Sequence, residues 1–319
     1  MNFPHALLVA GPTASGKSAL ALDLAERLNG TIINADSMQV YAELRVLTAR
    51  PTPEEEARVP HRLYGIRPAA QPGSAAWWRH EAVAAIGDAR ETCRTPIITG
   101  GTGLYFAALM DGLAAIPDPG APARAEARAL LTELGAAGLH ARLAAEDPVT
   151  AARIKPTDSQ RIARAWEVWR ATGTGLATWQ QTSPEPAITP PWRFSAILLD
   201  PPREELRAAI ATRFQAMLDQ GAIEEVKALL AQNLDPALPA MRAHGVPELS
   251  AYLRGEMSLE KAGRRTELVT GQYTKRQATW FRHHALAPRL HTIHARYAGL
   301  AQFSERNLDD LISFVRSAG

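Results

Sequence analysis

The segment that most constrains this chain is Gly11-Pro12-Thr13-Ala14-Ser15-Gly16-Lys17-Ser18, a glycine, four residues, a second glycine, then lysine and serine. That spacing is the phosphate-loop pattern, and its flanks have the required order. Ala6-Leu7-Leu8-Val9-Ala10 before it is a short apolar run that reads as a buried strand. Ala19 to Leu28 after it has helical periodicity and stops at Asn29-Gly30. Glycines let successive backbone N–H groups point inward, and the N-terminus of the following helix adds partial positive charge. Lys17 adds a full charge, and Ser18 offers a hydroxyl to a magnesium ion shared with phosphates. The loop, of the kind that also binds ATP, reports a polyphosphate without saying which one.

The next elements extend an α/β reading. Thr31-Ile32-Ile33-Asn34 is a second strand running into Ala35-Asp36-Ser37-Met38-Gln39. A right-handed crossover puts parallel strands with their C-terminal ends on one edge, so Asp36 should face the same crevice as the phosphate loop. A carboxylate there suits work on an acceptor, although a loop aspartate also commonly caps a helix. Pro96-Ile97-Ile98-Thr99 reads as a third strand, ending in a second glycine-rich turn, Gly100-Gly101-Thr102-Gly103-Leu104-Tyr105, on the same edge. Asp200 ends the apolar run Ser195 to Leu199, but Pro201-Pro202 follows at once, so it reads as a turn residue. The expected fold class is α/β: a P-loop-containing parallel sheet core flanked by helices, with a helical insertion domain.

Proline-rich stretches at 116–122 and 183–191 punctuate the middle. Between them, Ala123 to Thr182 reads as wholly helical. Thr157-Asp158-Ser159-Gln160 has the form of a capping box, Ile162, Trp166 and Trp169 make one apolar stripe, and Gly173 is the stop. The domain expectation is a core of 1–116 and 190–319 around a helical insertion of 117–189. At 46% hydrophobic and 21% charged residues, the chain can bury a sizeable core. No apolar run is long enough to span a bilayer, and no charged leader precedes the first strand. Cys93 is the single cysteine, which excludes a disulfide framework and a cysteine zinc site. The expected compartment is the cytoplasm.

A net charge of +2 does not by itself predict nucleic-acid binding, so placement matters more. Arg161, Arg164 and Arg170 lie off the apolar stripe of their helix. A second cluster combines Arg264-Arg265 with Gln272 to His284, where Tyr273, Arg276, Trp280 and His283 share a broad helical face. Basic residues interleaved with aromatics suit phosphate contacts and base stacking. A solvated helix with its aromatics on the core fits the pattern equally well. His283-His284 has no second ligand pair at useful spacing for a metal.

Taken in order, these pieces resemble the tRNA dimethylallyltransferase, or tRNA isopentenyltransferase, family of bacterial type. The resemblance covers nearly the whole chain: Gly11 to Ser18, Asp36 to Tyr41, Ala49 to Thr52, Val59 to His61, Gly100 to Tyr105, Asp158 to Arg164, and Lys275-Arg276-Gln277 with Trp280-Phe281-Arg282. It implies transfer of a dimethylallyl group from its diphosphate to the exocyclic N6 amine of adenosine at tRNA position 37, releasing diphosphate. By resemblance, Gly11, Pro12, Thr13, Ala14, Ser15, Gly16, Lys17 and Ser18 hold the diphosphate with Mg2+, joined by Arg213. Asp36 matches the family's general base, and Thr13 and Lys17 stand with it as expected catalytic residues. Expected tRNA contacts are Asp36, Ser37, Met38, Gln39, Thr102, Arg124, and Gln160, Arg161, Ile162, Ala163, Arg164. They continue with Arg242, Ala243, His244, Gly245, Val246, Pro247, and with Lys275, Arg276, Gln277, Ala278, Thr279, Trp280, Phe281 and Arg282. The implied partners are the tRNA anticodon stem-loop and dimethylallyl diphosphate, with no membrane and the chain acting as a monomer.

The chain departs from the family at His244-Gly245-Val246-Pro247-Glu248, where a tyrosine and a basic residue are common. That departure predicts a weakened RNA contact, with Glu248 facing the backbone and Arg242 carrying what remains. The zinc finger of eukaryotic members is absent. Two other classes share the phosphate loop. A small-molecule kinase would use the loop and Asp36 without needing two basic clusters. A regulatory GTPase needs a guanine-reading signature, and Thr274-Lys275-Arg276-Gln277 lacks its aspartate.

Overall fold

The computed structural model describes residues 5–182, 192–299 and 305–317. The chain divides into two compact units, Met1–Met110 with Ile188–Gly319, and Asp111–Ala187. The second proline-rich stretch lies outside the described residues.

The first unit opens with β1 (His5–Ala10), α1 (Lys17–Arg27), β2 (Gly30–Asn34), α2 (Pro53–Arg58), β3 (His61–Arg62), α3 (Ala75–Glu91), β4 (Thr95–Gly100) and α4 (Gly103–Asp111). The insertion contributes α5 (Gly120–Glu146), α6 (Pro148–Ala151), α7 (Ser159–Thr172) and α8 (Leu176–Thr182). The first unit resumes with β5 (Arg193–Leu199), α9 (Arg203–Asp219), α10 (Ala222–Leu230), a 3-10 turn at Ala240–Arg242, α11 (Val246–Leu253), α12 (Leu259–His283), β6 (Arg289–Ile293) and α13 (Glu305–Arg316).

Among the described residues, six strands form one sheet in the order β3-β2-β4-β1-β5-β6. Every pairing is parallel. Strand side chains alternate between faces, and here both faces are apolar. Leu7, Val9, Ile32, Ile97 and Ile197 pack with Leu20 and Leu24 of α1 and Leu311 and Val315 of α13. Ala6, Leu8, Ile33 and Ile98 pack with Trp78 of α3, Phe106 of α4, Phe214 of α9 and Phe281 of α12. Burial on both sides explains why these strands read as apolar runs. β3 and β6 escaped the sequence reading because β3 has only 2 residues and β6 is an edge strand with its first three residues exposed.

Register fixes where the functional loops emerge. Ala10 pairs with Gly100 and with Leu198, and Asn34 pairs with Thr99. The C-terminal ends of β1, β2 and β4 are therefore level, and the loops that follow them share one edge. Gly100 is held by close approach: a Cβ there would sit 2.1 Å from the Ala35 carbonyl oxygen. Ala35 N–H donates to Thr99 O, and Thr102 N–H donates back to Ala35 O.

The insertion has its own core of Ala127, Leu130, Leu139, Leu143, Ile162, Ala165 and Trp166. Two expectations are corrected there. The stretch is not wholly helical: Gly135 interrupts α5 at φ 66, ψ 179, and turns separate the shorter helices. The start of α7 is not capped by Thr157. Asp158 is the N-cap, its carboxylate accepting from Arg161 N at 3.2 Å. A charged carboxylate at a helix N-terminus is the better acceptor of the two. Gly173 ends α7 in the left-handed region, as the sequence predicts.

Because the Ala35 backbone cannot retreat without breaking its ladder bonds, Gly100→Ala should destabilise the protein by about 2–3 kcal/mol. Thermal unfolding followed by circular dichroism measures this, and an unchanged midpoint would mean that the contact relaxes freely.

Candidate active site

The phosphate loop leaves β1 and turns through a Ser15 N–H to Pro12 carbonyl bond of 3.2 Å. Ala14 and Gly16 have left-handed φ values of 67° and 89°. α1 begins at Lys17 with no acidic residue in its first turn, so its N-terminal dipole is left for an anion. The Lys17 ammonium lies 3.4 Å from Pro12 O. Ser18 is exposed at the same helix end.

Asp36 is held at the neighbouring strand end by a buried amide. Asn34, fully buried, accepts from Asp36 N at 2.8 Å and donates to Asp36 O at 3.0 Å and to Leu63 O at 3.1 Å. Trp78 Nε1 donates to the Asn34 carbonyl at 2.7 Å. Asp36 Oδ1 accepts from Met38 N at 2.9 Å, which turns the chain and leaves the carboxylate half-buried. Ser37 N donates to Thr102 Oγ1 at 3.0 Å, joining the loops after β2 and β4.

Two cations share the field of that carboxylate. Burial and Arg213 lower the Lys17 pKa to about 8, with Asp36 opposing the shift. Arg213, on α9, is also lowered by burial and supported by Asp36, and it donates to Thr48 O at 3.4 Å. Burial and the Asp36 charge raise Tyr64 and Tyr105, and push Tyr273 up to about 12, so these phenols stay protonated around the carboxylate. The structure thus brings together Lys17, Asp36, Thr102 and Arg213 from four separate stretches of sequence.

Several residues expected at the RNA also hold the site together. Gln277 is 4% exposed: its Oε1 accepts from Thr13 N at 2.8 Å, and its Nε2 donates to Gly101 O at 2.9 Å. It ties the phosphate loop to the turn after β4, because an amide has a donor and an acceptor to satisfy when buried. Phe281 is buried in the core under the sheet. Tyr273 is partly buried, with the His244 ring edge-on at 5.0 Å. Gln39 spends its amide nitrogen on Thr48 O and Ala49 O, both at 2.9 Å. Ala243 and Val246 are buried, and in the insertion so is Ile162.

The departure at 244–248 is also corrected. Glu248 does not face outward. It is 8% exposed and its carboxylate accepts from Gly245 N at 3.1 Å, the glutamate half of a capping box at the start of α11. Glutamate three residues into a helix serves this role, which the family comparison by position obscured. Arg242 and Pro247 are the exposed residues of the segment.

Of the expected RNA contacts on α12, Lys275, Arg276, Thr279 and Arg282 are exposed. Trp280 is half-buried and stacked on His284 at 4.2 Å. In the insertion, Arg161 is 76% exposed beside Asp158, and Arg164 contacts Glu167 at 3.4 Å. Arg124 is paired with Asp118. Such surface pairs are weak enough to exchange for phosphates. Among the described residues no group of three or more His, Cys, Asp or Glu side chains is arranged to hold a metal.

An all-parallel sheet with a glycine–lysine loop after an interior strand, and a carboxylate on an adjacent loop, is the arrangement of an α/β protein of the phosphate-loop type. The particular family comes from comparison: the sequence matches IPP transferase over residues 39–284 and isopentenyl transferase over residues 4–73. It is 63% identical to the tRNA dimethylallyltransferase of Granulibacter bethesdensis, covering 99% of both chains. It is 59% identical to that of Gluconacetobacter diazotrophicus, covering 97% of this chain and 93% of the relative. The crystal structure of the tRNA isopentenylpyrophosphate transferase from Bacillus halodurans superposes with a TM-score of 0.68 at 30% identity, over 98% of this chain and 97% of that one. This chain belongs to the IPP transferase family.

Lys17 sets a pH dependence. Its charge is half lost at about pH 8 in the empty site, present at lower pH and absent at higher pH. A bound diphosphate raises the lysine pKa again, so affinity for inorganic diphosphate should hold below about pH 8 and fall above it. Calorimetric titration from pH 6.5 to about 9.5 checks this, and a flat profile would take Lys17 out of the anion site.

Proposed function

We infer that this protein is a tRNA dimethylallyltransferase. It moves a dimethylallyl group from dimethylallyl diphosphate to the exocyclic N6 amine of adenosine at tRNA position 37, next to the anticodon, and releases diphosphate. One observation carries the chemistry: Asp36 lies in the same charge cluster as Lys17 and Arg213, one at the phosphate loop and one on α9. A crevice of this kind has an anion end and a base end.

The two ends suit the two halves of the reaction. The amine lone pair of adenine is delocalised into the ring, so a carboxylate that accepts the amine proton helps attack. The Asn34 amide fixes the Asp36 backbone from both sides, which presets that carboxylate. At the other end, charge grows on the departing diphosphate. The loop N–H groups, the start of α1, Lys17 and Arg213 face that charge without reorganising. Magnesium fits the donor set as an ion carried in by the diphosphate, with Ser18 as its one protein ligand. It would supply further neutralisation of the leaving group. The reaction needs no ATP, since the prenyl diphosphate carries its own leaving group.

The acceptor base must leave the anticodon-loop stack to reach Asp36. Ser37 and Thr102, joined by their hydrogen bond, stand beside it as contacts for that base. Lys275, Arg276 and Arg282 on α12, Arg242 before α11, and Arg124 and Arg161 on the insertion supply phosphate contacts from exposed positions, with Arg164 half-buried beside them.

Asp36→Asn should lower transfer of labelled prenyl group to unmodified tRNA by about 100- to 10,000-fold while tRNA still binds. Near-normal turnover by this variant would remove the base role. Neutralising Lys275 and Arg276 together, or Arg161 and Arg164 together, should reduce the slope of log affinity against log salt by about 1–2. If filter binding gives the parental slope for both double variants, these arginines and the lysine are only a solvated surface.

A further inference from the structure

A phosphate loop can aim its N–H groups inward only if its carbonyl groups are turned outward and kept there. In this chain two consecutive outward carbonyls are held by a segment far away in sequence. Arg296 Nε donates to Ala14 O at 2.9 Å, and Tyr297 N donates to Ser15 O at 2.9 Å. The hold falls where the loop is least comfortable, since Ala14 has a Cβ yet adopts φ 67°. The same segment closes over Gly16, where a Cβ would meet the Tyr297 carbonyl oxygen at 1.9 Å. Each clamp residue is anchored in turn. The Tyr297 phenol donates to Asp23 of α1 at 2.6 Å, and Arg296 N donates to Glu205 Oε2 of α9 at 3.3 Å. α9 also packs Leu206, Ala209 and Ile210 against Ala14, and it carries Arg213.

We propose that Arg296 is a positioning residue for the anion site: its guanidinium, with the Tyr297 backbone, holds the Ala14 and Ser15 carbonyls outward so that the loop stays preset for the diphosphate. The clamp lies beyond residues 39–284, the part matched by the IPP transferase family, and its contacts are with the backbone of the loop. The proposal rests on the reading of Gly11 to Ser18 as the diphosphate cradle, and it predicts a selective defect. Loosening the loop weakens donor binding while the acceptor side, built from Asn34, Asp36 and Thr102, is left intact.

The test compares the parent with Arg296→Ala and Arg296→Lys in the full chain. The alanine variant should raise the KM for dimethylallyl diphosphate and the Kd for inorganic diphosphate by about ten-fold, as expected for loss of one charge-assisted hydrogen bond. The KM for tRNA should stay within about two-fold. Amide exchange at 13–17, measured without ligand, should speed up, and lysine should restore most of each property because it can still donate to Ala14 O. Unchanged exchange and unchanged diphosphate constants in the alanine variant, or equal rises in both KM values, would overturn the proposal. Should the alanine variant not fold, a lysine variant with parental loop exchange supports the clamp, and one with accelerated exchange and normal diphosphate binding sinks it. A parent that fails to bind inorganic diphosphate would instead sink the cradle reading, and the exchange rates would still decide the clamp.

Discussion

The level ending of β1, β2 and β4 is the constraint on which the rest of the site depends. Parallel strands in register deliver their following loops to one edge, and here that edge receives the phosphate loop, Asp36 and the turn carrying Thr102. The approach of Gly100 to the Ala35 backbone makes the register tight as well as level. A carboxylate and an ammonium then come to share one field without either being placed on a mobile arm. The buried Asn34 amide adds direction to proximity, since it bonds the backbone of Asp36 from both sides of the turn.

α12 works on two faces. Its outer face carries Lys275, Arg276 and Arg282 in solvent, and its inner face carries Tyr273, Gln277 and Phe281. Through Gln277 the helix reaches both the phosphate loop and the turn after β4. The helix proposed to meet the RNA is thus bonded directly to both halves of the chemical site. The 294–297 segment supports the phosphate loop through its carbonyls and Gln277 supports it through the Thr13 N–H, so opposite polarities of the loop backbone are satisfied by different C-terminal elements.

Much of this was legible in the chain. The phosphate loop, the strands around it and the address of Asp36 follow from local spacing and from the handedness of crossovers. Gly173 as a helix stop and the Ile162–Trp166 stripe follow from the same local rules, and both stand in the structure. The inward roles of Gln277, Phe281, Glu248 and Tyr273 were not legible: they are polar or aromatic residues within exposed-looking motifs, and sequence spacing does not reveal which face of a helix a sheet will cover. Thr157 and Asp158 are adjacent acceptors, and the choice between them depends on where the chain enters α7.

The type of fold and the address of the candidate base were written in the chain, because glycine–lysine spacing and apolar strand runs act through backbone geometry over a few residues, and a strand end has a fixed place in a parallel sheet. Long-range packing was needed to make Asn34 and Gln277 fasteners and to bring Arg296 and Tyr297 onto the loop from 282 positions away. These contacts link segments whose separation along the chain carries no periodic signal. They arise when burial forces each backbone donor and acceptor at the crevice to find a partner, and the partner is whatever the packed sheet brings within reach.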